Sequence, residues 1–169
     1  MKTLLVLRHA KSSWRESELA DHDRPLNKRG KRDAPRMGEL MRVEGLLPDL
    51  ILTSSARRAH RTAELVAEAS GYDGEVQVSR DLYAAGPEEF VEALAGLMPV
   101  LDTVLVVGHN PGVEELLEML TDEAPAMPTA ALAQVELDIE GWADLEGEVT
   151  GRLVNLWLPR DLDMGHHQG

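Results

Sequence analysis

The chain has 169 residues and contains no cysteine. Disulfide bonds, thiol nucleophiles and thiolate metal sites are therefore excluded, and cysteine use leaves the redox state of its compartment undetermined. Aromatic residues make up only 4% of the sequence. A hydrophobic core must therefore be built from leucine, valine, alanine and methionine.

Long hydrophobic runs are also missing. No apolar stretch approaches the roughly 20 residues that a membrane-spanning helix needs. The first residues enter a strand pattern at once, without the charged, apolar and small-residue regions of a signal peptide. We therefore expect a cytoplasmic protein with no membrane partner. The first predicted strand is not followed by Gly-x-Gly-x-x-Gly, which disfavours a dinucleotide enzyme.

Positive charge is scarce and unevenly placed in this chain, whose formal net charge is −13. Residues 1–61 hold 14 Lys and Arg against 8 Asp and Glu, whereas residues 62–169 hold 3 against 22. This distribution favours a local anion-binding site. A nucleic-acid partner is not expected, because polyanion binding needs a broad basic face.

Apolar strand patterns alternate with helical patterns along the chain. Strands are predicted over residues 2–8, 50–53, 76–78, 103–107, 131–139 and 151–158, and helices over residues 27–43, 56–69, 87–97 and 111–121. This order predicts a three-layer α/β/α fold with a mostly parallel central sheet. We expect one domain over residues 1–160 and a flexible tail over residues 161–169. His166 and His167 lie in this tail without a shell of carboxylates, so they are not expected to bind a metal.

Three helix starts carry predicted signals. Ser54 or Ser55 is expected to cap the second helix, and Asn110 is expected to cap the last one, with a proline at its first position. Pro35 lies within the first helical pattern. It either kinks that helix or belongs to a second segment that Asp33 caps.

Two short motifs place a histidine directly after a predicted buried strand. They are Arg8-His9-Ala10 and Gly108-His109-Asn110-Pro111-Gly112. Ligands bind at the carboxyl ends of strands in open α/β sheets. Imidazole can act as a nucleophile or proton carrier, and a guanidinium matches phosphate oxygens. Taken alone, Arg8-His9-Ala10 is better explained as an ordinary charged strand end. For His109 the alternative is a turn histidine that bonds only to backbone.

The second helix begins with an unusual concentration of positive charge. Arg57 and Arg58 occupy its first turn, where the helix dipole disfavours cations unless an anion is bound. Arg57 and Arg61 share one face, and Arg58 points about a quarter turn away. The pattern leaves open which arginine faces a ligand, and a solvated helix face is preferred for His60 and Arg61.

Four segments occur in one order along the chain: Arg8-His9-Ala10-Lys11-Ser12-Ser13-Trp14; Asp23-Arg24-Pro25-Leu26 with Gly30; Ser54-Ser55 with Arg58-Ala59 and Thr62; and Gly108-His109-Asn110. This combination resembles the histidine phosphatase superfamily, also called phosphoglycerate-mutase-like. Within it, the chain is similar to the small phosphohistidine phosphatases of the SixA type.

The resemblance implies a phosphoglycerate-mutase-like fold, no cofactor and no metal. His9 is the implied nucleophile, which becomes phosphorylated. Arg8, Arg58 and His109 complete the implied phosphate pocket, and Arg58 is preferred to Arg57 because it precedes the matching alanine. The implied substrate-binding residues are Lys11, Ser12, Arg24 and Asn110. For Lys11 and Ser12 a structural role is the alternative, and Arg24 could instead pin its loop by pairing with a carboxylate.

One part of the machinery has no clear match. Many relatives carry a carboxylate general acid after the third strand, and this chain has residues 81–86 in that region. Glu88 and Glu89 lie at the start of the next helix, where carboxylates are favoured by capping and by the helix dipole. A phosphohistidine leaves as imidazole, which can be protonated before the P–N bond breaks, whereas an alkyl ester needs the acid. The gap therefore favours a phosphoramidate or activated phosphate over a mutase substrate.

The predicted function is a metal-independent phosphatase that hydrolyses protein-borne phosphohistidine through His9. Two alternatives use the same site: a small-molecule phosphomonoesterase, and a non-catalytic module that binds phosphate or a phosphoprotein. The expected partner is a phosphorylated protein or a small phosphorylated substrate, and the chain is expected to be a monomer. Trp14 either stacks on substrate or anchors its loop.

Overall fold

The centre of the protein is a six-stranded sheet. The computed structural model describes residues 1–16 and 18–162. In this part of the chain the strands are β1 (Lys2–Arg8), β2 (Leu50–Ser54), β3 (Val76–Ser79), β4 (Thr103–Gly108), β5 (Leu132–Leu137) and β6 (Gly151–Trp157). Their order across the sheet is β3-β2-β4-β1-β5-β6.

Four of these strands run parallel to one another. β2 pairs with β3 and with β4, and β4 pairs with β1, all in parallel. β5 is antiparallel to β1, and β6 is antiparallel to β5. The predicted mostly parallel sheet is confirmed.

Four helices cover the two faces of the sheet. They are α1 (Lys28–Val43), α2 (Arg57–Ser70), α3 (Pro87–Ala95) and α4 (Gly112–Thr121). Leu5 and Leu7 of β1 belong to the core that includes residues of α1 and α2, while Leu4 and Val6 belong to the core with residues of α3 and α4. Because β1, β2 and β4 are buried on both faces, their side chains form near-continuous aliphatic runs.

The first helix is continuous through Pro35. It begins after Asn27, whose side chain accepts a hydrogen bond from the Gly30 backbone N–H at 2.9 Å. Asp33 is therefore not the cap of a second segment. Its buried carboxylate instead lies 3.4 Å from the Arg29 guanidinium.

The predictions that Ser54 or Ser55 caps α2 and that Asn110 caps α4 were wrong. The residue before α2 is Ala56, without a side-chain cap, and Ser54 Oγ instead accepts a hydrogen bond from the Ala56 N–H at 3.2 Å. Helix α4 begins at Gly112 after Pro111, and Asn110 provides no cap. In both cases the side chain that was expected to cap a helix is used at the sheet edge instead.

Two glycines allow helices to pack directly against the loops at this edge. A Cβ atom on Gly30 of α1 would lie 2.1 Å from the Lys11 carbonyl oxygen. A Cβ atom on Gly112 of α4 would lie 2.0 Å from the Ala85 carbonyl oxygen. Only glycine permits these approaches, so the backbone of each loop is held against a helix start.

The carboxyl-terminal region leaves β6 and forms a helical turn over residues 159–162. The predicted tail at residues 161–169 thus includes two residues of this turn. Residues 163–169, with His166 and His167, lie outside the described residues. Within the described ranges, every helix is too short or too polar to cross a bilayer.

Candidate active site

The two motif histidines meet because their strands are neighbours in register. Arg8 at the end of β1 pairs with Gly108 at the end of β4. The His9 backbone N–H donates to the Gly108 carbonyl at 3.0 Å, and the rings of His9 and His109 lie 5.0 Å apart between centroids. Both side chains are buried at the carboxyl edge of the sheet.

A cavity of about 280 Å³ lies over this edge. Its lining brings together all eight residues predicted for the site: Arg8, His9, Lys11, Ser12, Arg24, Arg58, His109 and Asn110. Trp14, Asp21 and Thr129 complete the lining. Four cationic side chains therefore surround the cavity with a single carboxylate among the described residues, which favours a bound anion.

His9 presents a neutral imidazole to the cavity. Its Nδ1 lies 2.8 Å from the Ala10 carbonyl oxygen, which can only accept, so that Nδ1 carries the proton. Burial lowers the pKa of His9 to about 3, and His109, Arg58 and Arg8 add to this effect. The lone pair of Nε2 is therefore available for attack on an electrophile.

His109 is held in the opposite tautomer. Arg58 Nη2 lies 3.4 Å from His109 Nδ1, and because a guanidinium can only donate, Nδ1 is the acceptor. Nε2 then carries the proton and donates to Ser54 Oγ at 2.7 Å. Burial, followed by the charge of Arg58, lowers the pKa of His109 to about 4. Both histidines are thus uncharged near neutral pH.

Thr62 connects the loop of His9 to the turn of Arg58. Its hydroxyl accepts a hydrogen bond from the Ala10 N–H at 3.0 Å and donates one to the Arg58 carbonyl at 2.6 Å. Thr62 is fully buried. The nucleophile loop and the start of α2 therefore share one fixed hydrogen-bonding group.

Asp21 is a residue of the cavity that the sequence analysis did not predict. Its backbone carbonyl and Oδ2 accept from Arg58 at 2.6 and 3.0 Å, and its Oδ1 accepts from Arg24 at 3.0 Å. Tyr83 donates its hydroxyl to Oδ2 at 2.7 Å. Hydrogen bonds from Tyr83, then from Arg58 and Arg24, hold the pKa of the Asp21 carboxyl well below its usual range. Its signal was the acidic segment directly before Arg24.

Arg8 and Asn110 share a second carbonyl acceptor. Arg8 Nη1 and Asn110 Nδ2 each donate to the Met127 carbonyl at 3.0 Å. Asn110 Nδ2 also donates to Glu114 at 2.6 Å. In the described structure, Arg8 Nε–H and Asn110 Oδ1 are buried without a partner. Unpaired buried polar atoms are rare and are typical of functional sites.

Hydrogen bonds to residues of its own loop hold the Arg24 guanidinium in place. Its guanidinium donates to the Ser13 carbonyl at 3.1 Å and to Ser12 Oγ at 2.5 Å, in addition to Asp21. Its guanidinium carbon lies 3.1 Å from the centroid of the exposed Trp14 ring. The geometry favours the loop-pinning alternative for Arg24 and gives Trp14 a stacking partner within the protein.

Arg57 lies outside the cavity. It is exposed and lines a separate groove with His60, Arg61 and Glu64. Arg58, in contrast, is buried against His109 and Asp21. Because consecutive helical residues point in different directions, only one of the two arginines reaches the histidine pair.

The sequence profile of the histidine phosphatase superfamily, branch 1, matches residues 4–83. A protein of Mycobacterium tuberculosis that carries no functional name is 35% identical over 166 residues, which cover 91% of this chain and 100% of that protein. The chain belongs to the histidine phosphatase superfamily. As a member it is a phosphatase-type hydrolase, and its fold is the phosphoglycerate-mutase-like one that the motifs predicted.

Two solved structures of this superfamily are similar over nearly the whole chain. One, from Nakamurella multipartitia, has a TM-score of 0.81 and 27% identity, and the match covers 94% of this chain and 96% of that one. The other, from Agrobacterium tumefaciens, has a TM-score of 0.80 and 27% identity, with coverages of 94% and 98%. Both are assigned as phosphohistidine phosphatase SixA.

The carboxylates considered for the superfamily's general acid lie away from this cavity. Glu89 accepts a hydrogen bond from the Gly86 N–H at 3.1 Å at the start of α3, and Glu88 lines a groove elsewhere on the protein. Asp81 does not line the cavity either. Asp21 does line it, but hydrogen bonds keep it ionised, so that it cannot donate a proton near neutral pH.

The Asp21 carboxylate is expected to position the phosphatase's two arginines. We expect Asp21→Asn to lower kcat by about 10- to 100-fold, since a small misplacement of a charge-stabilising group has effects of this size. Inhibition by inorganic phosphate should persist or strengthen, because a negative charge leaves the anion site. The measurement is kcat together with the inhibition constant for phosphate, with Asp23→Asn as the matched control. Wild-type kcat in Asp21→Asn contradicts the positioning role.

The two buried histidines are expected to make this phosphatase sensitive to acid. An unfolded histidine binds its proton near pH 6.5, whereas the folded pKa values are about 3 for His9 and about 4 for His109. Between these values the unfolded chain binds more protons, so stability is full above pH 6.5 and falls as the pH decreases, by up to about 1.4 kcal/mol per pH unit for each histidine.

Urea unfolding at pH 7.5, 6.5 and 5.5 measures this dependence largely above the range in which carboxylates titrate. His9→Asn should reduce the slope of unfolding free energy against pH by the contribution of one proton. An identical slope in His9→Asn and wild type would show that His9 does not stay neutral in the folded protein.

Proposed function

We propose that this phosphatase hydrolyses phosphohistidine carried by a protein, through a covalent phosphohistidine on His9. The observation that carries the proposal is a neutral His9 with a free Nε2 beside arginines, in a cavity whose carboxylate is not an acid. Such a site can attack phosphorus but cannot protonate a poor leaving group. The similarity to structures assigned as SixA supports the same substrate class.

In the first step His9 Nε2 attacks phosphorus. A P–N bond forms to His9 as the P–N bond of the substrate breaks, and the substrate imidazole leaves as a neutral group because solvent has already protonated it. Arg58 and Arg8 face the equatorial oxygens, whose negative charge has to be stabilised in the transition state. The unpaired Arg8 Nε–H is a donor available for one of these oxygens.

In the second step water attacks the phosphorus of phosphorylated His9. The P–N bond to His9 breaks, its electron pair returns to Nε2, and the proton of the attacking water leaves with inorganic phosphate. Arg58 contributes stabilising hydrogen-bond donors, and neutral His109, whose Nδ1 accepts from Arg58, holds this guanidinium beside the transferred group. No metal or cofactor takes part in this scheme. The cytoplasm stays the predicted location and the monomer the predicted state.

Phosphate release from a matched set of substrates tests the proposal. The set comprises a phosphohistidine peptide, phosphoimidazole, aryl phosphates with leaving groups of increasing pKa, and glycerol phosphate. We expect rapid turnover of the phosphoramidates, a steep fall across the aryl series and negligible turnover of the alkyl ester, because the site supplies no general acid.

Two outcomes would replace the proposal. Alkyl esters hydrolysed as fast as phosphohistidine indicate a small-molecule phosphomonoesterase with a proton donor at the site. Phosphate binding without turnover of any substrate indicates the non-catalytic binding module.

A further inference from the structure

A basic groove adjoins the active-site cavity. It has a volume of about 550 Å³ and is lined by Lys11, Ser12, Ser13, Trp14, Arg15, Pro25, Leu26, Asn27, Lys28, Arg29 and Lys31. Lys11, Ser12 and Trp14 also line the cavity, so the two spaces are continuous. A substrate bound at His9 would therefore extend naturally into this groove.

The walls of the basic groove are held together by backbone hydrogen bonds. The Asn27 N–H donates to the Lys11 carbonyl at 3.0 Å, and the Ser13 N–H donates to the Pro25 carbonyl at 2.8 Å. Ser12 and Leu26 form an isolated antiparallel bridge. The groove is thus a built part of the fold rather than a gap between loose loops.

Five cationic side chains line the groove, and its lining includes no carboxylate. Of these five, Arg29 pairs with Asp33, while Lys11, Arg15, Lys28 and Lys31 form no ion pair within the described residues. Of the exposed arginines elsewhere in the described residues, Arg57 and Arg80 also form no ion pair, whereas Arg42 pairs with Glu39, Arg61 with Glu64 and Arg152 with Glu136.

Unpaired like charges in one groove repel each other, which disfavours their clustering unless an anion is bound there. The chain offers many acidic residues, with a net charge of −13, yet none of them lines this groove. The field of the groove is therefore directed outward, to a negatively charged partner. The net negative charge of the whole protein repels acidic molecules at a distance. The groove therefore attracts an acidic partner only within one Debye length, about 8 Å at physiological ionic strength.

Trp14 provides an apolar contact at the border between groove and cavity. Its side chain is 72% exposed, although the Arg24 guanidinium stacks against the ring. Arg24 is fixed by Ser12, Ser13 and Asp21, so the ring is held at this position. An exposed, fixed tryptophan is typical of the residues that dominate protein interfaces.

We propose that the basic groove binds an acidic segment of the protein that carries the phosphohistidine. This inference rests on the proposed function and adds the recognition of the polypeptide around the phosphorylated residue. The segment lies along Lys28 and Lys31 while the phosphoryl group reaches His9 past Trp14. The small phosphoramidate alone does not use the groove.

Charge reversal in the groove tests this inference. Lys28→Glu/Lys31→Glu changes two exposed residues in the first turns of α1. The helix dipole stabilises glutamates at these positions, so the variant should fold. The control, Arg42→Glu/Arg80→Glu, changes the net charge equally at exposed positions outside the groove. The substrates are a phosphohistidine peptide flanked by glutamates, the same peptide flanked by glutamines, and phosphoimidazole.

We expect the groove variant to lower kcat/KM for the glutamate peptide by about tenfold or more, because like charges then face each other. kcat/KM for the glutamine peptide should change little, and that for phosphoimidazole should not change. The control variant should match the wild type on all three substrates. An equal loss on all substrates, or an equal loss on the two peptides, overturns the inference.

Binding of the unphosphorylated glutamate peptide separates this inference from the proposed function. Calorimetry should show binding to the wild type and to the control variant but a loss in Lys28→Glu/Lys31→Glu, whether or not any substrate is hydrolysed. Absent turnover of phosphoimidazole refutes the proposed function alone. Absent binding of the glutamate peptide refutes the acidic-segment interface.

Discussion

His9→Asn is expected to lower the rate of phosphate release by about 10⁴-fold or more, as loss of a nucleophile does when the rest of its pocket remains. The asparagine amide keeps a donor near the position of Nδ1, so the hydrogen bond to the Ala10 carbonyl can persist. The Nε2 lone pair is what disappears. Since no other described residue places a free nucleophilic nitrogen at this point in the cavity, no substitute is available.

Single-turnover measurements with a phosphohistidine peptide check this expectation directly. Wild type should accumulate an acid-labile phosphoryl group on His9 before phosphate appears, and His9→Asn should form neither product. The matched control is His60→Asn, which removes a histidine on α2 outside the cavity. Turnover by a folded His9→Asn protein at the wild-type rate would exclude the covalent mechanism.

Arg58→Ala is expected to lower kcat by about two to three orders of magnitude, the usual effect of losing a donor that stabilises transition-state charge. The substitution also removes the groups that donate to Asp21 and to His109 Nδ1. Arg58→Lys should recover only part of the activity, because an ammonium cannot bond to Asp21 and phosphate in the same fork geometry.

Arg57→Ala is the matched control, one residue away on the same helix. Its side chain lines the separate groove with Glu64, so kcat and KM should stay at wild-type values. Comparison of Arg58→Ala, Asp21→Asn and the double variant should show non-additive effects, because the two side chains act as one unit. Additive losses, or a loss in Arg57→Ala as large as in Arg58→Ala, would contradict this assignment.

The positions of His9 and His109 could be predicted because each follows a run of aliphatic residues. Such runs are typical of buried parallel strands, and the carboxyl ends of parallel strands share one edge of the sheet. The choice of Arg58 over Arg57 came from the motif alone. The structure gives it a physical basis, since the helix turns Arg58 inward and leaves Arg57 exposed.

The starts of α2 and α4 could not be predicted from residue type, although an asparagine, Asn27, does cap α1. Ser54 and Asn110 are good capping residues in general, yet tertiary contacts use both side chains elsewhere. Ser54 Oγ accepts from His109, and Asn110 donates to Met127 and Glu114. Tertiary contacts override the capping preference of serine and asparagine here, because a buried polar group must form its hydrogen bonds wherever the fold places it.

The sequence by itself determined the layered α/β fold, the strand-end histidines and the absence of thiol chemistry, since these follow from periodicity and composition. Only the tertiary structure decided that Asp21 and Tyr83 bond to each other at the site and that Thr62, a residue of the motif, bonds to Ala10. Arg58 lies 37 positions from Asp21 along the chain, Tyr83 lies 62 positions from Asp21, and Ala10 lies 52 positions from Thr62. Contacts at such separations depend on how loops fold back over the sheet edge, and no local pattern encodes them.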